Sequence, residues 1–167
     1  MQNDFVPQPV SSPDMSTVRH ARDTTNCPHQ CTQECRADHQ FVAMLNSYRG
    51  SGGLARKQEV VALFKRRCGP DLATLASWIV EREVICFEWQ SQTWLPWFQF
   101  NHFDMAPQPE LDQVFVELTS VYDPWELANW FARPNPWLAD RTPVETLVYD
   151  LPVVVHAARA DRLIANG

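Results

Sequence analysis

Apolar residues recur along this chain at two different periods, and the switches between them divide it into elements. Phe41, Met44, Leu45 and Tyr48 stand at i, i+3, i+4 and i+7, which is the spacing of one helix face and predicts a helix over residues 31–49. Gly50-Ser51-Gly52-Gly53 breaks that pattern and reads as a linker. Residues 54–67 form an amphipathic helix with Val60, Leu63 and Phe64 inward, closed by Cys68-Gly69-Pro70. Asp71 is a good N-cap for a second helix, on which Leu72, Leu75, Ala76 and Ile79 share a face. The period then shortens. Residues 84–90 and 93–100 are rich in β-branched and aromatic side chains and flank the polar Ser91-Gln92 pair, so a β-hairpin is expected.

Helical spacing returns after a loop over residues 101–109. Leu111, Val114, Phe115 and Leu118 mark a buried face on a helix over residues 110–121. Asp123-Pro124 and Thr142-Pro143 each pair an N-cap with a proline at the first helical position and start two more helices. The first of these runs over residues 125–132 and stops at Pro134-Asn135-Pro136, because a residue before proline avoids the α region. Pro152 opens the last helix, residues 153–165. Residues 1–25 are polar and rich in proline and serine with no apolar period, which predicts disorder.

The fold class is therefore mainly α. Residues 1–53 read as a mostly disordered or lightly helical extension. Residues 54–100, two helices and a hairpin, have the outline of a degenerate winged-helix or excisionase-like unit. Residues 110–167 form a small helical module. No apolar run reaches the roughly 18 residues of a membrane span, and the first residues lack the basic and apolar regions of a secretory signal. A cytoplasmic location is expected.

Charge is spread unevenly. Lys plus Arg against Asp plus Glu number 4 and 5 in residues 1–53, 6 and 5 in residues 54–100, and 4 and 10 in residues 101–167. The acidic final third repels nucleic acid and favours a basic protein partner. Only the middle third offers a DNA-binding cluster: Arg56, Lys57, Lys65, Arg66, Arg67 and Arg82. The second helix of that unit carries only Arg82 against Asp71, Glu81 and Glu83, which is a poor surface for reading bases.

Catalytic patterns are missing. No Ser/His/Asp arrangement, phosphate loop or HExxH motif occurs, and His102 and His156 are isolated, so enzymatic activity and a cofactor are not expected. Cys27, Cys31, Cys35 and His39 lie four apart with His29 beside them, a weak metal candidate. One continuous helix cannot close a tetrahedron round a single ion, and the spacing fits no common zinc pattern. Cys68 and Cys86 read as buried or inert thiols. Trp125, Ala128 and Ala132 follow one stripe, with Asn129 and Trp130 beside it. These aromatics read as the core of the helical module, or as partner anchors.

The motifs DPWELANWF, RPNPWLADRTPVETL and VVVHAARADRLIANG resemble the toxin-binding domain of antitoxins of the Xre/MbcA/ParS-like class, over residues 123–167. LPWFQF upstream is similar to the end of the excisionase-like hairpin that precedes this domain in some members, which extends the resemblance to residues 60–167. The chain departs from the family at Ala139-Asp140 and at Asp150-Leu151-Pro152, where a glycine is usual. The resemblance implies a homodimer that neutralises a RES-type, NAD-degrading toxin and represses its own operon through the DNA-binding unit. It places the reach toward the toxin along the tail from Arg162 through Leu163, Ile164, Ala165 and Asn166 to Gly167, with Trp130, Asn135 and Arg141 building and shaping the module. Trp125, Asn129, Trp130, Asn135, Arg141 and Arg159 join the tail as candidate partner contacts. Leu138, Thr142 and Pro143 would be structural. The alternative reading is a stand-alone DNA-binding regulator whose helical module serves only to dimerise.

Overall fold

A computed structural model describes residues 28–167, with side chains from Gln33 onward. The elements run α1 (Pro28–Tyr48), β1 (Leu54–Arg56), α2 (Lys57–Arg66), α3 (Leu72–Val80), β2 (Phe87–Trp89), β3 (Gln92–Pro96), α4 (Asp112–Leu118), α5 (Pro124–Ala132), α6 (Pro143–Thr146) and α7 (Leu151–Asn166). The fold is mainly helical with one small sheet. No helix among the described residues is long and apolar enough to cross a membrane. The disorder expected for residues 1–25 lies outside the described residues.

The sheet is antiparallel in the order β1-β3-β2, with Ala55 opposite Leu95 and Glu88 opposite Thr93. Successive side chains on an extended chain point to opposite faces, and here each face meets its own core. Ile85, Phe87 and Phe98 join a large cluster built by α1, α4, α5, α6 and α7, including Phe41, Tyr48, Leu118, Phe131 and Val154. Val84, Leu95 and Phe100 join a smaller one with Val60, Phe64, Leu75 and Met105. Gln99, fully buried, holds the hairpin beyond the end of β2. Its Nε2 donates to Ile85 O at 3.0 Å and its Oε1 accepts from Ile85 N at 2.6 Å, so one side-chain amide serves both backbone groups of Ile85.

Several expectations change. The glycine-rich segment is a tight turn and not a linker. Gly52 and Gly53 adopt φ +100° and +84°, and Gly53 N donates to Tyr48 O at 2.8 Å. This turn feeds β1, which sequence periodicity assigned to the start of a helix. Nor is α1 part of a light extension, since Phe41, Met44 and Tyr48 are buried in the large core. Tyr48 Oη donates to Ala128 O at 2.6 Å and Ser47 Oγ to Ala132 O at 2.7 Å, which ties α1 along α5.

The hairpin turn falls at Gln90-Ser91, both at positive φ, one residue earlier than expected. Paired positive-φ residues match the twist of a two-residue hairpin. The inward face of α3 is Leu75, Trp78 and Ile79, while Leu72 and Ala76 are exposed. Cys68 is exposed too, because it occupies a left-handed turn at φ 52° after α2. Cys86 is half-buried, and burial raises its thiol pKa.

Two measurements check this architecture. Alanine at Gly52 would place its Cβ 2.5 Å from Trp97 Cδ1 at a φ that L residues avoid. Gly52→Ala should therefore lower unfolding free energy by about 2 kcal/mol or more in denaturant titration. Burial also raises the Tyr48 hydroxyl pKa well above its usual 10.0. Neutral Tyr48 is present in both states below that value. As pH rises above it, the unfolded chain releases a proton that the folded chain retains, so stability falls. Tyr48→Phe should make this alkaline decline shallower by about one proton, or about 1.4 kcal/mol per pH unit.

Candidate functional site

The acidic residue that organises the helical module is Asp161, on α7. Asn135 stands just past α5, in the turn imposed by Pro134 and Pro136, and Trp137 follows it. Asp161 Oδ2 accepts from Trp130 Nε1 and from Asn135 Nδ2, both at 2.7 Å, and its Oδ1 accepts from Trp137 Nε1 at 3.2 Å. Asn135 Oδ1 in turn accepts from Trp137 N at 2.9 Å, capping the short turn that follows. Two indoles and one amide thus converge on one carboxylate. Such charge-assisted bonds are stronger than neutral ones.

Beside this network lies an open groove of about 760 Å³ between α1 and α5, with Asp161 on its floor. Trp125 forms part of its wall, held by a 3.2 Å hydrogen bond from its Nε1 to Gln40 Oε1 and by edge packing on Phe87. Glu126 lines the groove and also caps α5, its Oε2 accepting from Asp123 N at 2.9 Å. Partial burial first, then the charges of Asp161 and Glu126, raise the pKa of Tyr122 at the groove edge. Arg36 and Arg133 line opposite sides, one on α1 and one after α5. Among the described residues neither makes an ion pair or hydrogen bond.

The predicted partner contacts divide into two groups. Trp130, Asn129 and Asn135 are buried and serve the module, with Asn129 Nδ2 donating to Trp125 O at 2.9 Å. Leu138, Thr142 and Pro143 are buried, and Thr142 Oγ1 caps α6 by accepting from Glu145 N. Arg159 and Arg162 reach from α7 to the buried Glu117 on α4. Arg159 Nε donates to Oε1 at 2.8 Å; Arg162 Nη1 lies 3.1 Å from Oε2, near enough to pair charge without hydrogen-bond alignment. Arg141 is exposed. Leu163 and Ile164, on the last turn of α7, are 65% and 69% exposed, and Ala165, Asn166 and Gly167 are exposed with them.

The predicted DNA cluster is dispersed in role. Arg82 is a structural tie: Nη1 donates to Thr119 O at 2.6 Å and Nη2 to Tyr122 O at 2.7 Å. These carbonyls follow α4, where a cation is favoured by the helix dipole. Arg67 Nη1 donates to His102 O at 2.8 Å, and the Arg56 guanidinium lies over the Trp94 ring. Lys65 and Arg66 are exposed and Lys57 half-exposed. His102 and His156 are exposed as well.

Of the metal candidate, Cys27 lies outside the described residues, and so do the side chains of His29 and Cys31. Cys35 and His39 are exposed on α1, and no group of three ligands able to hold a metal occurs among the described residues. Sequence reasoning missed Asp161, Arg36 and Arg133. Its signal for Asp161 was weak, a lone acid inside an alanine-rich helix. Nothing in the periodicity of α1 tied Arg36 to a residue almost a hundred positions away.

Removing the Asp161 carboxylate leaves three donors without an acceptor, the Asn135 amide among them buried. Asp161→Ala should cost about 2–3 kcal/mol in chemical denaturation, whereas Arg141→Ala should stay within about 0.5 kcal/mol.

No family model, no curated protein and no solved structure matches this chain.

Proposed function

We propose that this protein is an antitoxin-like interaction protein that binds and neutralises a partner enzyme, a RES-type NAD-degrading toxin, from its C-terminal helical module. The observation that carries the reading is the last turn of α7. Leu163 and Ile164 are large, apolar and mostly exposed, while the helix beneath them is fixed by Arg159 and Arg162 on Glu117. A rigid helix end with two uncovered aliphatic side chains is suited to enter a partner's pocket at little entropic cost. Inhibition by occlusion requires only such a surface, and the sequence resemblance gives the partner its class. In this reading the protein acts in the cytoplasm as a homodimer.

The alternative, a stand-alone DNA-binding regulator, draws on the exposed Lys65 and Arg66 at the end of α2. Its support is thinner, since Arg82 and Arg67 are engaged with backbone carbonyls. Duplex binding that weakens steeply with salt and is lost when Lys65, Arg66 and Arg67 become alanine would favour it.

The test is co-purification from the native host with the full-length protein as bait, beside Leu163→Asp/Ile164→Asp. The wild type should retain an NAD-consuming enzyme and suppress its turnover. The double variant should lose both effects with an unchanged unfolding midpoint, because neither side chain belongs to a core. Equal capture and inhibition by the two baits would sink the assignment to α7.

A further inference from the structure

We infer that the groove between α1 and α5 is a second contact site, one that takes an extended acidic peptide segment of a protein partner, with a carboxylate held by Arg36 and Arg133. This rests on reading the molecule as a protein binder and names the chemistry of a surface other than the end of α7.

The polar groups of the groove differ in how far the fold already engages them. Both oxygens of Asp161 accept hydrogen bonds from Trp130, Asn135 and Trp137, and Glu126 caps its own helix. Both carboxylates thus have contacts within the fold, and Glu126 keeps one oxygen free. The cationic donors have none: Arg36 and Arg133 are exposed, line the groove and have no partner among the described residues. A complementary ligand must bring acceptors, and planar guanidinium groups match carboxylates best.

Shape narrows the class further. The groove is partly open to solvent, whereas small-molecule sites enclose most of their ligand. Its α1 wall, from Gln33 to Gln40, runs about 10 Å, the reach of about three extended residues. Trp125, Pro134 and Pro136 supply apolar surface beside the arginines, and the Trp125 ring is already fixed by Gln40 and Phe87. Fixed aromatic surface costs little to order on binding. The carboxylates of Asp161 and Glu126 stand in the same groove, and their field reaches Tyr122. That field opposes a polyanion such as nucleic acid but tolerates one carboxylate set between two guanidinium groups.

An array of immobilised random 12-residue peptides, probed with the full chain and with Arg36→Glu/Arg133→Glu, tests the assignment. Peptides bound by the wild type should be enriched in Asp or Glu next to an apolar residue. The affinity of the best of them, measured in solution, should fall about tenfold for each arginine reversed. Both arginines are exposed and unpaired, so the variant should unfold at the same midpoint, and Arg141→Glu serves as the exposed-charge control with unchanged binding. Binders without acidic enrichment, binders indifferent to the double variant, displacement by a single-stranded oligonucleotide, or no binder at all would each overturn the groove assignment. The wider reading is judged separately, by enzyme capture through Leu163 and Ile164.

Discussion

The structure depends on one constraint: the segment from Val84 to Phe100 must satisfy two hydrophobic cores at once. Val84, Ile85, Cys86 and Phe87 alternate between the smaller and the larger cluster, and Trp97 and Phe98 do the same after β3. A one-residue slip in register would send each of these side chains to the wrong core. The Gln99 amide bound to both backbone groups of Ile85 opposes that slip where the β2 ladder has ended. The hairpin is thus the wall between the smaller core on the α2–α3 side and the larger core of the remaining helices, and it fixes how the two share the chain.

Around that wall the remaining contacts fall into place. β1 closes the sheet because Gly52 and Gly53 turn the chain back after α1, and Phe41 of α1 stacks on Trp89 of the hairpin at a centroid distance of 3.7 Å. Arg82 crosses from the end of α3 to the carbonyls that follow α4. These long-range ties give the groove two rigid sides, so Arg36 and Arg133 face a common space without touching each other's helices through any bond of their own.

Charges in this molecule sort by engagement more than by sign. Glu117, through its ion pairs with Arg159 and Arg162, and Asp161, through its hydrogen bonds from Trp130 and Asn135, serve as internal fixtures of α7. Arg159, Arg162, Arg67 and Arg82 are consumed in the same way. Counting charge along the sequence made the final third an acidic surface seeking a basic partner, yet part of that acidity is already matched inside the fold. At the groove, Arg36 and Arg133 remain without a partner among the described residues, beside the carboxylates of Asp161 and Glu126. An exposed ion pair contributes little to stability, whereas a buried carboxylate that gathers donors decides where a helix sits.

Local signals were legible where the physics is local. The Asp-Pro and Thr-Pro helix starts, the stop at Pro134-Asn135-Pro136, the buried face of α4, that of α1 apart from the exposed Leu45, and the existence of the hairpin follow from residue spacing and capping chemistry. They involve groups within about one turn of each other. Only the tertiary structure decided that the glycine-rich segment is a turn feeding a strand, that Arg82 binds the carbonyls of Thr119 and Tyr122, and that Trp130 and Asn135 belong to Asp161. Each of these rests on a contact between residues 26 or more positions apart, or on a backbone angle that glycine permits without requiring. Periodicity says which face of an element is apolar; it does not carry the identity of what that face will meet.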